Sequence, residues 1–163
     1  MSGENPEFSV VVPVFNERDN ITPLVNEIVA ALRGKHSFEI VYVDDQSKDD
    51  SFQVLKDLMG SVPELRVVQH IKQSGQSTAV RNGVKASRGL WIATLDGDGQ
   101  NDPADIPKLI EARNTAAPEI KLFAGWRVNR KDTGSKRWAS KIANSIRASF
   151  LKDETPDTGC GIK

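Results

Sequence analysis

The chain has 163 residues, enough for one compact domain, and its 38% hydrophobic, 27% charged and 6% aromatic content is ordinary for a water-exposed globular fold. Lys plus Arg (22) balances Asp plus Glu (22), so no global charge points to nucleic acid, while the single Cys160 excludes an intramolecular disulfide and cysteine-built zinc or iron–sulfur centres. His36 and His70 are the only histidines, no apolar run approaches the ~18–20 residues of a membrane helix, and MSGENPEF lacks an apolar signal stretch; a soluble, cytoplasmic chain is expected.

Residues 9–15 (SVVVPVF) are apolar without alternation, the pattern of a strand buried on both faces. Residues 20–32 carry Ile21, Leu24, Val25, Ile28, Val29 and Leu32 at helical spacing, with Pro23 in the first turn and Gly34 past the end. A second strand is expected over 38–44 (FEIVYVD), a second helix over 51–59 and a short third strand over 65–69. The third helix, 76–86, turns Ala79, Val80 and Val84 inward and stops at Ser87-Arg88-Gly89. A fourth strand follows at 91–95, then a helix at 103–113 with Ile106, Leu109 and Ile110 on one face. A fifth strand at 122–126 and a longer helix at 136–151 complete the pattern.

Such alternation implies an α/β fold: a mainly parallel, Rossmann-like sheet with right-handed crossovers and helices on both faces. No repeat, low-complexity tract or linker divides residues 1–163, so one unit is expected. The last residues, TGCGIK, read as the start of another element, and the sequence is expected to be the front portion of a longer protein. Zero net charge conceals an asymmetry: residues 125–152 hold eight cations against Asp132, a window of +7 facing a remainder of −7. That pattern fits an anionic ligand or surface, or equally a set of solvated helix charges.

Ligands of open parallel sheets gather beyond the carboxyl ends of the strands. Here those ends read Pro13-Val14-Phe15-Asn16-Glu17, Asp44-Asp45-Gln46-Ser47 and Asp96-Gly97-Asp98-Gly99-Gln100, with five acidic side chains among them. Each cluster alone is what turns and helix caps use; their coincidence on one sheet edge is harder to explain by capping. In an extended DGDGQ, Asp96, Asp98 and Gln100 would share one face at roughly 6.6 Å intervals. That is too wide for both carboxylates to chelate one small ion unless the chain turns, and it suits one direct metal ligand plus another acting through water or phosphate, the usual magnesium arrangement. Gly97 and Gly99 would leave room for a diphosphate against the backbone.

Competing readings of DGDGQ fare worse. A calcium EF-hand needs Gly at the sixth position and Glu at the twelfth, where this chain has Asn101 and Pro107. A haloacid-dehalogenase-type phosphatase would use Asp96 as nucleophile, but that motif ends the first strand, not the fourth, and is followed by Thr or Val rather than Gln100. A dinucleotide-binding Rossmann protein needs a glycine-rich turn where the first strand here leads into PVFNER.

Taken in order, VVVPVFNERDNI, EIVYVDDQSKDDS, QSGQSTAVRNGVKASRG and WIATLDGDGQNDPADI resemble family-two glycosyltransferases of the GT-A fold, and among them the polyprenol-phosphate sugar transferases. GWRVNRKD, KRWASKIANS and DTGCGIK continue the likeness, which covers the chain from Phe8 onward. The resemblance implies that Pro13, Phe15, Glu17, Asp44 and Asp45 hold the nucleoside of a sugar donor, Phe15 lying against the base unless it packs in the core. It makes Asp96, Asp98 and Gln100 the ligands of a divalent ion, Mg2+ or Mn2+, and of the diphosphate. Gln73, Ser74, Gly75, Gln76 and Arg81 match the loop and helix beside the donor; Arg81 would meet the donor or form a surface salt bridge.

By the same resemblance Arg127 and Arg130 meet the acceptor phosphate, with Ser140 and Lys141 nearby. Trp138, Ile142, Ile146 and Phe150 form an apolar stripe flanked by Arg137, Lys141 and Arg147, fit to pack on the sheet or to rest on an anionic membrane surface. The implied reaction is a metal-dependent, inverting transfer from a UDP- or GDP-sugar to a polyprenyl phosphate, in cell-envelope biogenesis at the inner membrane face. A phosphate acceptor needs no strong base, its second pKa being about 6; a sugar hydroxyl of a cell-surface polysaccharide would need one, and Asp157 is the candidate. A nucleotide-sugar-binding fragment without turnover is the alternative of a different class.

Overall fold

The computed structural model describes residues 5–125 and residue 162. Four strands alternate with helices: β1 (Phe8–Val14), α1 (Arg18–Leu32), β2 (Phe38–Asp44), α2 (Ser51–Met59), β3 (Leu65–Gln69), α3 (Gln76–Ala86), β4 (Trp91–Thr94) and α4 (Ile106–Thr115), the last entered through a 3-10 turn at Pro103–Asp105. The sheet order is β3-β2-β1-β4, and every pairing is parallel.

Burial follows the two-residue period of the strands. Phe8, Val10, Val12 and Val14 of β1, with Ile40 and Tyr42 of β2, pack beneath α1, α2 and α4. Val11, Val41 and Val43 point to the other face and meet Ala79 of α3. Both central strands are buried over their full length, which is why they read as continuous rather than alternating apolar runs. In α1, Leu24, Ile28 and Leu32 recur every four residues and are at most 1% exposed, so truncating one to Ala costs about 2–5 kcal/mol.

Pro13 stands inside a central strand, where a missing N–H ordinarily breaks a ladder bond. The ladder explains its tolerance. Val11 O accepts from Leu95 N on the β4 side and Val14 O accepts from Asp45 N on the β2 side, so Pro13 faces β4. Pairing with β4 has ended by then, at Val11 and Thr94. Pro13 therefore loses no strand partner and marks where β1 and β4 part.

Elements from β2 through α3 keep the bounds their periodicity implies, while β1 and α1 begin one and two residues early. Val84, expected to turn inward, is 41% exposed, and the buried residues of α3 are Ala79 and Gly83. Two further expectations fail. Residues 121–125 form no strand: Leu122 is 71% exposed, Phe123 turns back onto the Trp91 ring at 6.4 Å, and Gly125 N donates to Ile162 O at 3.1 Å. The DGDGQ segment is not extended either, because the chain turns at 97–99 just past β4. Trp126, the expected helix over 136–151, and Arg127, Arg130 and Asp157 lie outside the described residues. Among the described residues, no helix is long and apolar enough to cross a membrane.

Candidate nucleotide-sugar site

The chain steps from β1 through β2 to β3, then returns over the sheet to β4 on the opposite side of β1. Loops leaving β1 and β4 consequently diverge, and a crevice opens at the strands' carboxyl ends. A cleft of about 340 Å³ lies there. Its walls take Pro13, Phe15 and Glu17 from the end of β1, Asp45 from β2, Gln76 from α3, and Asp96 and Asp98 from the loop after β4.

Eight of the site residues singled out in the sequence thus converge: Pro13, Phe15, Glu17, Asp45, Gln76, Asp96, Gly97 and Asp98. Phe15 is half-buried and belongs to neither core cluster, so packing in the core does not account for it. Asp44 is the clear correction. It is 0% exposed, and its carboxylate is consumed internally, Oδ1 accepting from Ser47 N at 3.1 Å and Oδ2 from Gln69 Nε2 at 3.0 Å. It shapes the loop that carries Asp45 but does not reach the cleft. Arg81 is exposed on α3 outside the lining, and it forms no ion pair among the described residues. Gln100 is exposed beyond the lining, its backbone N–H capped by Asp98 Oδ1 at 3.0 Å.

Asp45 is 4% exposed, with one edge on the cleft. Oδ1 meets His70 Nδ1 at 2.6 Å and accepts from Ser74 N at 2.8 Å, while Oδ2 accepts from Gly75 N at 2.7 Å. Gly75 adopts φ 87°, a left-handed conformation natural to glycine, to present that amide. Burial alone would raise the Asp45 pKa; the hydrogen bonds from His70, Ser74 and Gly75 outweigh it and hold the carboxyl below its ordinary range. Asp96 is half-buried: Oδ1 accepts from Gln76 Nε2 at 2.9 Å and Oδ2 from Asn101 Nδ2 at 3.5 Å. Asp98 is exposed at the rim.

The loops after β1 and β2 are stitched together by bonds that local patterns do not reveal. Asn16 N donates to Ser47 Oγ at 2.9 Å, Asn16 Oδ1 accepts from Lys48 N at 2.7 Å, and Glu17 N donates to Ser51 Oγ at 3.0 Å. Asn16 and Gln46 both take positive φ to allow this, 57° and 61°. Asn16 and Ser47 stand in the strand-end runs of the sequence; Ser51, His70 and Asn82 escaped the sequence reading as site residues. For His70 a signal existed, since it directly follows β3, as cleft residues follow β1, β2 and β4.

No Lys, Arg or His among the described residues lines the cleft, whereas Glu17, Asp45, Asp96 and Asp98 do. A cleft so charged repels a bare diphosphate and welcomes a cation. No group of three or more His, Cys, Asp or Glu side chains is placed to cage a metal among the described residues. Asp96 and Asp98 instead offer hard oxygen donors at the rim, too few to complete a shell alone. That donor set fits Mg2+ or Mn2+ completed by phosphate oxygens and water.

A parallel sheet flanked by helices, with an acidic cleft at its switch point, defines an α/β domain of GT-A type. S. aureus TarS residues 1–349, in complex with UDP-GlcNAc, superpose with TM-score 0.56 at 30% identity, covering 65% of this chain and 30% of that one. The mannosyltransferase PcManGT from Pyrobaculum calidifontis, in complex with GDP-Man and Mn2+, shares the fold with TM-score 0.53 at 22% identity over 59% of this chain and 28% of its own. The chain belongs to glycosyl transferase family 2, whose profile matches residues 9–162. Similar curated proteins include the dodecaprenyl-phosphate galacturonate synthase of Rhizobium johnstonii, 37% identical over 96% of this chain and 47% of the relative. An undecaprenyl-phosphate 4-deoxy-4-formamido-L-arabinose transferase of Pseudomonas savastanoi pv. phaseolicola is 34% identical over 95% and 46%. The chain spans about half the length of these relatives.

Proposed function

We propose that this chain supplies the donor-binding half of a metal-dependent, inverting glycosyltransferase that moves a sugar from a UDP- or GDP-sugar to a polyprenyl phosphate. The observation that carries this reading is the acidic cleft at the β1/β4 switch point, assembled from three strand ends in a family 2 domain. The relatives named for dodecaprenyl- and undecaprenyl-phosphate sugar transfer support the acceptor class.

In this reading Phe15 lies against the base, Asp45 accepts a base N–H, and Glu17 accepts from the ribose. Asp44 acts behind them, fixing the 45–47 turn through Ser47 and Gln69. Asp98 and Asp96 would hold the divalent ion, with Gln100 able to join if its loop closes. When bound, that ion supplies charge stabilisation for the departing nucleoside diphosphate. Gln76 keeps Asp96 oriented toward the cleft. Arg127 and Arg130 would grip the acceptor phosphate bidentately, as planar guanidinium groups do. A phosphate acceptor is already anionic near neutral pH, so positioning and charge screening carry the rate. For a sugar-hydroxyl acceptor, Asp157 would take the proton. The basic segment would rest on the anionic inner membrane surface, where a polyprenyl phosphate is presented.

A thermal-shift panel of UDP- and GDP-sugars, run with and without Mg2+ or Mn2+, tests the reading. A metal-dependent rise in melting temperature with a nucleotide sugar is expected. No shift with any donor contradicts it, and magnesium-dependent phosphate release from simple esters would favour a phosphatase instead.

A further inference from the structure

We propose that His70 and Asn82 form the positioning pair of the donor cleft: a neutral imidazole protonated on Nδ1, locked in that tautomer by Asn82, aims the Asp45 carboxylate at the ligand. The inference rests on the nucleotide-sugar reading above and names residues outside the cleft that govern it.

His70 follows β3 directly, and its backbone N–H donates to Asp44 O at 2.9 Å, prolonging the ladder by one bond. Its side chain, 8% exposed, lies between β3 and α3 and does not line the cleft. Nδ1 stands 2.6 Å from Asp45 Oδ1, and Nε2 stands 2.8 Å from Asn82 Nδ2 on α3. A carboxylate only accepts, so the proton of this contact is on Nδ1. An amide nitrogen only donates, so Nε2 accepts. The two contacts together define one tautomer of an uncharged ring.

The consequence appears in the lone pairs of Asp45. A carboxylate offers about four acceptor positions. His70 and Ser74 N take two on Oδ1, and Gly75 N takes one on Oδ2. One position remains, on Oδ2, for a single ligand N–H or O–H. Ser74 and Gly75 are neighbours in one loop, so by themselves they would let the carboxylate travel with that loop. His70 ties it to the end of β3, and Asn82 ties His70 to α3. The ring acts through Asp45 and touches no ligand, so it is a positioning residue.

Isosteres separate this role from simple space filling. In His70→Asn the amide nitrogen falls where Nδ1 is, keeping the Asp45 contact and losing Asn82. In His70→Gln the amide reaches the Nε2 position instead, where its Oε1 can accept from Asn82 Nδ2, keeping Asn82 and losing Asp45. The test titrates UDP and GDP, with Mn2+ present, into the 163-residue chain and both variants. His70→Asn should bind within about threefold of the parent, and His70→Gln about tenfold more weakly, with the Mn2+ requirement unchanged in both. Equal affinities in both variants, or loss in proportion to melting temperature alone, would overturn the proposal. Nitrogen NMR of the His70 ring in the ligand-free chain supplies the second readout. A protonated Nδ1 with a bare Nε2 at neutral pH is expected; protonation on Nε2, alone or on both nitrogens, overturns it. A parent that binds neither nucleotide contradicts the nucleotide-sugar reading, while the NMR result still judges the pair by itself.

Discussion

Gly97 lies against Val14 so closely that a Cβ at this position would stand 2.4 Å from Val14 Cγ1, and 2.7 Å from the Pro13 carbonyl oxygen. Room for a diphosphate, which the sequence suggests as the reason for this glycine, is therefore not the main constraint. The turn carrying Asp96 and Asp98 is pressed onto the end of β1, and only a residue without a side chain permits that contact. Gly97→Ala should push the turn away from β1. The expected result is a loss of about 1–3 kcal/mol in urea unfolding, together with weaker metal-dependent nucleotide binding. A variant with parental stability and parental binding would mean that the turn yields freely.

Asp44 and Asp45 have opposite fates because adjacent residues at a strand end point to opposite sides. Asp44→Ala would strand the Ser47 amide and the Gln69 side chain, at a cost of about 1–3 kcal/mol. Chemical denaturation should register that loss, and the residual folded protein should lose nucleoside and nucleoside diphosphate affinity by the same factor. Selective loss of nucleoside binding at full stability would return Asp44 to the ligand.

Tyr42 Oη is the one buried side-chain polar atom without a hydrogen-bond partner among the described residues. Burial, helped by the charge of Glu27, pushes this phenol well above its ordinary range. The hydroxyl gains nothing in the fold and is desolvated there, so Tyr42→Phe should be neutral or stabilising by up to about 1 kcal/mol. A loss of a kilocalorie or more in urea unfolding would reveal a partner for that oxygen.

Acid sensitivity follows from two carboxylates at opposite ends of β2. Glu39, 5% exposed, accepts from Ser9 Oγ, Arg88 N and Arg66 Nη1. Burial alone would raise its pKa; those bonds outweigh it and hold the value low, as the corresponding bonds do for Asp45. A pKa lower in the folded than in the unfolded state stabilises the fold above the unfolded value, about 4, and that contribution vanishes as pH falls through the folded value. Urea midpoints should be level from pH 8 to about 5 and fall below about 4, with Glu39→Gln lowering the plateau and flattening the acid limb. Stability that rises on acidification through that range would contradict the assignment.

Much of this was legible in the sequence for a plain reason. β2 is buried on both faces and α1 carries an apolar stripe, so periodicity alone locates them. Strand ends then place Pro13, Phe15, Glu17, Asp45, Asp96 and Asp98 on one edge. What could not be read is the traffic between distant loops. Asp45 meets His70 across 25 positions and Asn16 meets Ser47 across 31, and no local spacing encodes either. The fifth strand failed on different grounds: an apolar run at 122–123 serves as well to pack Phe123 on Trp91 as to enter a ladder.

In the proposed function, a divalent ion held at the Asp96–Asp98 turn couples a nucleoside diphosphate to an otherwise repellent acidic cleft. Calorimetric titration of UDP and GDP into the chain, with and without Mn2+, and into Asp98→Ala, tests it most directly. Asp98 is exposed and supports no core, so the variant should unfold like the parent. The parent should bind one of the two nucleotides only when Mn2+ is present, and Asp98→Ala should lose this binding at unchanged stability. Equal affinity with and without Mn2+, or a parental Mn2+ dependence in Asp98→Ala, would contradict it.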